Sequence, residues 1–571
     1  MSVSAELARP RPRPKWLLLM LAWSTVVASV PGIVQAQSQT TSPVEPSTRH
    51  EPSRRSPRRI TSSWDDIAVQ PSDTARSSSV RSPDDAVGWG NGSQADSAPA
   101  PSSDDMVGWG PEPGQAAQTS SSADAARSAW SAWSMGGRYR LRVALWTRHF
   151  AAEHPLAQAR SWLALWLRYG HDFSLAGYPA AVRIVAAAHG EYDAAYAFQR
   201  ADYPASTRQA YEWQVIPDET YADLTLGRFA VRVGWLKHAL GQGELFGFLN
   251  GQSPRDLRDP GLTDPEDLLL AVLGSRTSLA LGDHRLELLT VQQAYFGLRA
   301  PPLGVLSPMR AWLLQDPLSA PAIAARDWRF REQPSGYAPS VWQALGHYGY
   351  TGPGIDLDVY AGSVLLQLGV ARMPAPAQLL QRAVTLDNYH PRYAVVGHSG
   401  ALTLGQTLLR WELTAELSRP HNTRDVNAPL RLEIARYTQL NGLLGISYYG
   451  LSHSNFGVEL AQSYVLHNPA RQHDSRRQLL LPTERPQLAL RAGFDLLHDR
   501  LQLLISGLII GVAPVNGALL RAELTYLAAD ALRLSLGYVH YYSASAAFGP
   551  FYGLGRDNRV YCALRWDFSL I

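Results

Sequence analysis

The sequence predicts an all-β fold, a large antiparallel transmembrane β-barrel of about 16–18 strands preceded by a disordered N-terminal arm. Three observations lead to this prediction. Apolar and polar residues alternate with a period of two along many segments after residue 138. After residue 36, no apolar stretch approaches the ~20 residues that a membrane-spanning helix needs. Residues 37–134 have neither a helical nor a strand period.

The composition favours a membrane or secreted protein. Charged residues make up 18% of the 571 residues, below the ~25% of an average globular domain. The formal net charge is only +3, so no nucleic-acid partner is expected. Cys562 is the only cysteine, which excludes a disulfide framework or a cysteine-based zinc site within the chain.

Residues 1–36 are predicted to be an export signal peptide. Basic residues precede an apolar run from Trp16 to Val27, and the small residues of Val34–Ala36 suit a cleavage site. An uncleaved membrane anchor is the alternative. Cleavage is favoured because the apolar run is short and Pro31 and Gly32 follow it.

Residues 37–134 are predicted to form a disordered periplasmic arm. They are rich in Ser, Pro, Asp, Ala and Gln, and such a segment buries too little apolar surface to become ordered. A DDxVGWG motif occurs in residues 84–90 and again in 104–110. A tryptophan flanked by acids can dock on a partner, and two copies on one tether gain avidity; a duplicated insert with no partner is the alternative. The partner-docking candidates are Asp84, Asp85, Val87, Trp89, Asp104, Asp105, Val107 and Trp109.

Residues 135–571 carry the alternation that predicts the barrel. Leu409, Trp411 and Leu413 alternate with polar neighbours, and the last segment shows the same pattern up to Leu570. The clearest segments run for about nine to twelve residues, against five or six in soluble sheets. At roughly two dozen residues per strand and connection, the barrel is wide enough for a lumen. Either of the long connections 316–340 and 371–392 is a candidate to fold inward.

Opposite charges two residues apart share one face of a strand, so several pairs are expected on the inner wall. Two interpretations remain open, a paired ladder that stiffens the wall and an electric field that selects the permeant. A mixed-charge lumen suits sugars better than a strongly charged solute. The lumen-facing candidates are Arg410, Glu412, Glu416, Arg431, Glu433, Arg521, Glu523, Arg565 and Asp567.

Several short segments resemble one protein family. They are Glu219–Gly227, Arg232–Trp235, Gln252–Arg258, Phe548–Gly549, Arg556–Tyr561 and Leu564–Phe568. The family is an uncharacterised group of Gram-negative outer-membrane barrels, classed only as a domain of unknown function. In it, a strand carries an R-x-G-x-Q pattern and the next loop carries N-P-x-D-L. The resemblance covers about residues 138–571 and implies a porin-like barrel surrounded by outer-membrane lipid.

The sequence predicts neither an enzyme nor a metal or cofactor site. Gly397–Ala401 resembles a nucleophile elbow, but Ala401 replaces the last glycine and the strand–turn–helix context is missing. We interpret this segment as a turn between two strands. The 16 histidines include no H-E-x-x-H pattern.

The predicted function is a channel in the bacterial outer membrane. The first hypothesis is the exit pore of a polysaccharide secretion system, with periplasmic or inner-membrane export components bound to the arm. The second is a passive uptake porin for small or hydrophobic solutes, and the third is a barrel enzyme or an adhesive barrel. The arm favours the first hypothesis, because a passive porin has no evident need for a tether with repeated tryptophans.

Overall fold

The computed structural model describes most of the chain after residue 132. The described residues are 133–147, 155–244, 246–249, 253–307, 310, 314, 320–372, 381–425, 432–466, 477–479, 484–511, 517–543, 551 and 553–570. The predicted signal peptide and both DDxVGWG motifs lie outside the described residues, as does the predicted arm up to residue 132.

Eighteen antiparallel strands form a closed barrel, which confirms the predicted fold class. The strands are β1 (Trp133–Trp146), β2 (Leu156–Leu175), β3 (Tyr178–Asp193), β4 (Trp213–Pro217 and Thr220–Leu226), β5 (Phe229–Leu236), β6 (Val272–Leu281), β7 (His284–Val291), β8 (Gln343–Gly352), β9 (Ile355–Leu365), β10 (Arg392–Leu404), β11 (Thr407–Asp425), β12 (Leu432–Leu451), β13 (Ser454–Leu466), β14 (Glu484–Leu496), β15 (Leu501–Ile510), β16 (Ala518–Ala529), β17 (Leu532–Tyr542) and β18 (Arg559–Ser569).

The first strand starts slightly earlier than the predicted boundary at residue 135. Trp133 pairs with Tyr169 of β2, and their ring centroids are 4.7 Å apart. This aromatic contact extends β1 by two residues toward the arm. Residues 133 and 134, which the sequence assigned to the arm, therefore belong to the barrel.

The barrel is closed by pairing between its first and last strands. β1 and β18 run antiparallel from Gly136 opposite Ser569 to Trp146 opposite Arg559. Closure leaves no strand edge with unpaired backbone groups, which a lipid environment does not tolerate. Short turns join the strands at the end where β1 begins and β18 ends, as at Gly177, whose φ of 82° suits glycine. The connections at the other end are longer.

The outer surface of the barrel is apolar, with aromatic side chains toward both ends of the strands. Alternation along each strand turns leucine, valine and isoleucine outward and polar residues inward. The exposed aromatics at the end of the barrel with the short turns are Trp133, Tyr178, Tyr348, Tyr448, Tyr526 and Trp566. Those near the long connections are Tyr192, Trp213, Trp342, Tyr464 and Tyr542.

The long connections contain short secondary structures. The helices are α1 (Ala194–Phe198), α2 (Ala205–Tyr211), α3 (Pro265–Leu268) and α4 (Ala320–Ala324), with 3-10 turns at Pro339–Val341 and Leu554–Arg556. No helix among the described residues is long and apolar enough to cross a membrane. The further strands are Asp256–Leu257 paired with Leu298–Arg299, Arg477–Leu479 beside β11, and the three strands Asp327–Gln333, Val370–Arg372 and Ala383–Tyr389.

The two connections predicted to be long loops contribute to a small sheet at the long-connection end. The strand 327–333 runs parallel to 383–389, whose other neighbour is the antiparallel strand 370–372. Trp328, Val384 and Leu386 are buried in this sheet. The loops are ordered here because these apolar side chains cover one another.

Candidate functional site

Arginine predominates on one part of the inner wall, from β16 through the closure to β2. Inward and outward residues alternate along each strand, so arginines at every second position of β1 project into the lumen together. The arginine cluster consists of Arg138, Arg140, Arg142, Arg160, Arg521 and Arg559, all of which are buried. Buried guanidinium groups need nearby carboxylates, and a loop supplies many of them.

The loop is the connection between β5 and β6, residues 237–271, whose described residues fold into the lumen. We call residues 237–249, described except for 245, the anchor segment. We call residues 253–271 the acidic segment. The two segments contact different parts of the wall.

Asp264 joins the acidic segment to the arginine cluster. Its carboxylate oxygens lie 2.9 Å from Arg140, 3.3 Å from Arg142 and 2.7 Å from Arg521. Asp267 adds a contact of 2.7 Å to Arg140. Burial by itself would raise the pKa of the Asp264 carboxyl, but the surrounding guanidinium groups outweigh burial and hold that pKa well below its ordinary value.

Asp259 makes a second connection to the cluster. Its carboxylate lies 2.7 Å from Arg160 and 3.5 Å from Arg559. Burial opposes ionisation here too, yet the two arginines lower the pKa of Asp259 below its ordinary value. Within the same segment, Arg258 is buried and pairs with Asp256 at 2.6 Å. The acidic segment is thus held to the wall as charged groups in contact with opposite charges.

Backbone N–H groups hold the anchor segment at another part of the wall. Glu412 of β11 is fully buried and accepts several of them. Its donors are the N–H groups of Gly243, Phe248 and Leu249, at 2.6, 2.8 and 3.4 Å. A carboxylate that accepts several N–H bonds is well satisfied without a cation.

Glu459 of β13 is the second acceptor for the anchor segment. It accepts the N–H groups of Glu244 at 2.7 Å and of Phe246 at 3.2 Å. The Glu244 side chain pairs with Arg410 of β11 and lies 3.8 Å from Arg491 of β14. The anchor segment therefore combines hydrogen bonds to two wall carboxylates with an ion pair of its own.

A buried histidine lies beside the start of the anchor segment. The two ring nitrogens of His347 lie 2.6 Å from Glu287 and 2.8 Å from Asp358. Each ring nitrogen of this histidine therefore has a carboxylate as its hydrogen-bond partner. Gln242 of the anchor segment donates to the other oxygen of Asp358 at 3.2 Å, so the loop is joined to this network as well.

The loop crosses the lumen from one wall to the opposite wall. β2, which carries Arg160, and β11, which carries Glu412, are nine strands apart in a ring of 18, or halfway around it. With strands spaced about 4.8 Å apart and tilted by about 40°, the backbone diameter of the ring is about 36 Å. Such a lumen is open unless loops fill it. Residues 237–271 therefore narrow the lumen.

The charged residues predicted to face the lumen differ in burial where the structure describes them. Arg410, Glu412, Glu416 and Arg521 are buried. Those that are partly exposed are Glu433, Glu523, Arg565 and Asp567. Arg431 lies outside the described residues, as do the docking candidates of the arm.

The pairing of these charges differs from the simple ladder. Arg521 pairs with Glu523 at 2.7 Å, and Arg565 pairs with Asp567 at 2.9 Å. Glu412 instead binds the anchor segment, and Arg410 pairs with the anchor segment's Glu244. Groups of the anchor segment thus take the place of the expected pairing between Arg410 and Glu412, because the segment approaches these side chains from inside the lumen.

Sequence reasoning missed the loop that occupies the lumen. The sequence favours 316–340 and 371–392 as inward loops, whereas in the described part of the chain residues 237–249 and 253–271 dock on opposite parts of the wall. A signal was present in the charge pattern, since four aspartates fall within residues 256–267 while β1 carries arginines at three alternate positions, 138, 140 and 142. The complementary charge of these two distant segments is the feature from which their contact could have been inferred.

The segment that resembles a nucleophile elbow is not a turn, which corrects that interpretation. Gly397–Ala401 lies inside the continuous strand β10. Ser399 is fully buried on the inner face, where its strand neighbours are Asp358 and Glu412. The period-two alternation continues through the glycines, since their backbone pairs normally. Among the described residues, no group of three or more His, Cys, Asp or Glu side chains is arranged to hold a metal ion.

Comparison with known proteins gives structural matches alone. No family model matches the sequence, and no curated protein matches it, so the resemblance to an uncharacterised barrel family stays a prediction. The chain is similar to OccAB3 of Acinetobacter baumannii, with a TM-score of 0.44 and 10% identity over 77% of this chain and 100% of that one. It is also similar to OccK8 (OprE) of Pseudomonas aeruginosa, with a TM-score of 0.43 and 10% identity over 77% and 99%.

A third match is OpdK of Pseudomonas aeruginosa, described as an outer-membrane protein. Its TM-score is 0.42, with 10% identity over 76% of this chain and 99% of that one.

Proposed function

We propose that this protein is a channel of the bacterial outer membrane through which small polar solutes diffuse. The observation that carries the proposal is a closed 18-stranded barrel whose polar lumen is crossed by residues 237–271. A barrel of this size without inward loops leaves a wide aqueous pore. With the loop in place, passage is restricted to solutes that fit beside it.

The outer surface supports placement in a membrane. Leucines in the middle of the strands are turned outward, among them Leu165, Leu444 and Leu460, each about half exposed. In water such a surface would expose far more apolar area than soluble proteins do. Aromatic side chains lie toward both ends of this surface, as expected where lipid headgroups meet water.

The chemistry of the lumen favours polar over hydrophobic permeants. Guanidinium and carboxylate groups line the inner wall and the loop, and most are paired with one another. Such a surface exchanges hydrogen bonds with water and with hydroxyl-rich solutes. A hydrophobic solute would displace that water without replacing its hydrogen bonds.

The exit pore of a polysaccharide secretion system is the second candidate. The repeated tryptophan motif of residues 84–110 favours it, since Trp89 and Trp109 suit docking on periplasmic or inner-membrane export components. The loop weighs against it, because a polymer chain needs a continuous path through the lumen. In an uptake channel, the repeated tryptophan motif would serve instead to tether the channel to a periplasmic partner.

Reconstitution of the purified full-length protein tests the proposal. In planar bilayers we expect stepwise single-channel currents, and in liposomes we expect sugar entry whose rate falls steeply with solute size. Protein that folds into the bilayer but passes neither ions nor sugars would overturn the proposal.

A deletion in cells distinguishes the two candidates. Removing residues 37–130 spares β1, which starts at Trp133. If the protein is an uptake channel, this deletion should leave both solute permeability and surface polysaccharide unchanged. The export pore predicts loss of surface polysaccharide, both in this strain and in a strain that lacks the whole chain.

A further inference from the structure

The two wall carboxylates that bind the anchor segment accept mainly backbone N–H groups, although Glu459 also lies 3.9 Å from Arg410. Glu412 and Glu459 are almost completely buried, with 0% and 2% of their surface exposed. Their donors include five backbone N–H groups of residues 243–249. Because the donors belong to the backbone, these hydrogen bonds fix the position of the loop's main chain against the wall. A contact through a long side chain would leave that position variable.

The anchor segment has residues that permit this close approach. Gly241 has a φ of 81°, which L side chains rarely adopt. A Cβ atom at this position would also collide with the carboxylate of Glu412. Gly243 donates directly to the same carboxylate. The contact therefore depends on small residues in the loop and on a carboxylate at a fixed point of the wall.

Apolar packing accompanies the hydrogen bonds. Leu240 and Leu249 of the anchor segment are buried in a cluster with wall residues that include Leu289 and Val395. Leu249, fully buried, also donates its N–H to Glu412. Packing and hydrogen bonding at one residue make the attachment cooperative, so the anchor segment is expected to dock or undock as a unit.

We propose that Glu412 and Glu459 are the positioning residues that set the size limit of the channel. This inference rests on the proposed function. By holding the anchor segment against β11 and β13, the two carboxylates determine how much of the lumen the loop occupies. Loss of these acceptors frees the segment from the wall and lets larger solutes pass.

Isosteric substitution by glutamine removes the negative charge and one of the two acceptor oxygens at each position without changing the volume of the wall. In the variant with both Glu412→Gln and Glu459→Gln, each amide retains one acceptor oxygen and turns an NH2 group toward backbone donors. In liposome swelling assays with the full-length protein, we expect the ratio of raffinose to arabinose entry to rise at least about fivefold. A Glu412→Asp variant, which keeps the carboxylate, should fall between this variant and the wild type.

Glu416→Gln is the matched control. Glu416 lies on the same strand and face as Glu412, but its partners Arg419 and Tyr393 belong to the wall. The Glu416→Gln substitution removes one negative charge from the same wall, as Glu412→Gln does, and should leave the size profile unchanged. Gly241→Ala tests the contact from the loop side, and it should widen the size limit in the same direction as the double variant.

The outcomes separate the inference from the proposed function. All variants are first checked for folding by heat-modifiable migration and β-sheet circular dichroism. If wild type and the double variant both fold and neither passes sugars, the channel proposal is wrong. If wild type passes sugars and the folded double variant and Gly241→Ala keep its size profile, the channel stands and the role of Glu412 and Glu459 is refuted.

Discussion

Removal of the Asp264 carboxylate is expected to release the acidic segment from the wall. In Asp264→Asn, Arg140 and Arg521 keep a second carboxylate, Asp267 and Glu523 respectively. Arg142, which lies 3.3 Å from Asp264, loses that carboxylate while buried in the arginine cluster. Taking one partner from a buried ion pair costs about 3–5 kcal/mol. The Asp264 side chain is still 22% accessible, so we expect the lower end, ~3 kcal/mol.

Hydrogen exchange of the backbone N–H groups in residues 253–271 measures this change. An N–H group that exchanges through opening of the segment does so in proportion to the opening equilibrium, so ~3 kcal/mol corresponds to about a hundredfold faster exchange. The fully buried Leu262 lies in the peptide to follow. Peptides from β11 serve as the internal reference, since the barrel itself should not change.

Asp267→Asn is the matched comparison for this experiment. Asp267 contacts Arg140 at 2.7 Å, so its removal deprives fewer guanidinium groups of a partner. We expect about tenfold faster exchange, equivalent to ~1.4 kcal/mol. Exchange in folded Asp264→Asn within about twofold of wild type, which is only ~0.4 kcal/mol, would refute the argument that Asp264 holds the segment.

Three further predictions concern pH and the membrane-facing surface. Docking lowers the pKa of Asp264 below its ordinary value of 3.8, so its stabilising effect is fully present above that value and is lost only as the pH falls through the lowered pKa. Once exchange is corrected for its intrinsic pH dependence, residues 253–271 should be equally protected at pH 8 and pH 5, and loss of protection between them would contradict this. Burial raises the pKa of Asp557 to about 7, so the folded state favours the protonated acid and its stability falls as the pH rises from about 4 to about 7. Asp557→Asn should remove this dependence and add at most ~4 kcal/mol at pH 8 in urea unfolding, and an unchanged pH profile would count against it. Leu444 faces outward in β12, and Leu444→Arg should reduce the free energy of folding into lipid vesicles by ~2–4 kcal/mol. The control, Thr403→Arg on the inner face of β10, should reduce it by under ~0.5 kcal/mol. Equal losses in the two variants would argue against a lipid-facing surface.

The sequence allows the wall residues of the candidate site to be predicted, but not their partners in the loop. Alternation along one strand was enough to turn Glu412 and Arg521 inward. Their partners are far away in the chain, with Gly243 separated from Glu412 by 169 residues and Asp264 from Arg521 by 257. No local pattern contains such a pair, and several acidic segments compete for the same arginines.

The barrel and the alternation between its two faces follow from the amino-acid sequence alone. Period-two alternation, aromatic residues toward the strand ends and the closing strand are local patterns, because each depends on where one side chain points relative to its neighbours. Three features emerge only in the folded chain: the described residues of the loop 237–271 enter the lumen, Asp264 contacts three arginines, and Glu412 accepts loop N–H groups. These contacts form between parts of the chain that meet only when eighteen strands close into a ring. The closure of the barrel, rather than any one segment, thus determines which charges face each other across the lumen.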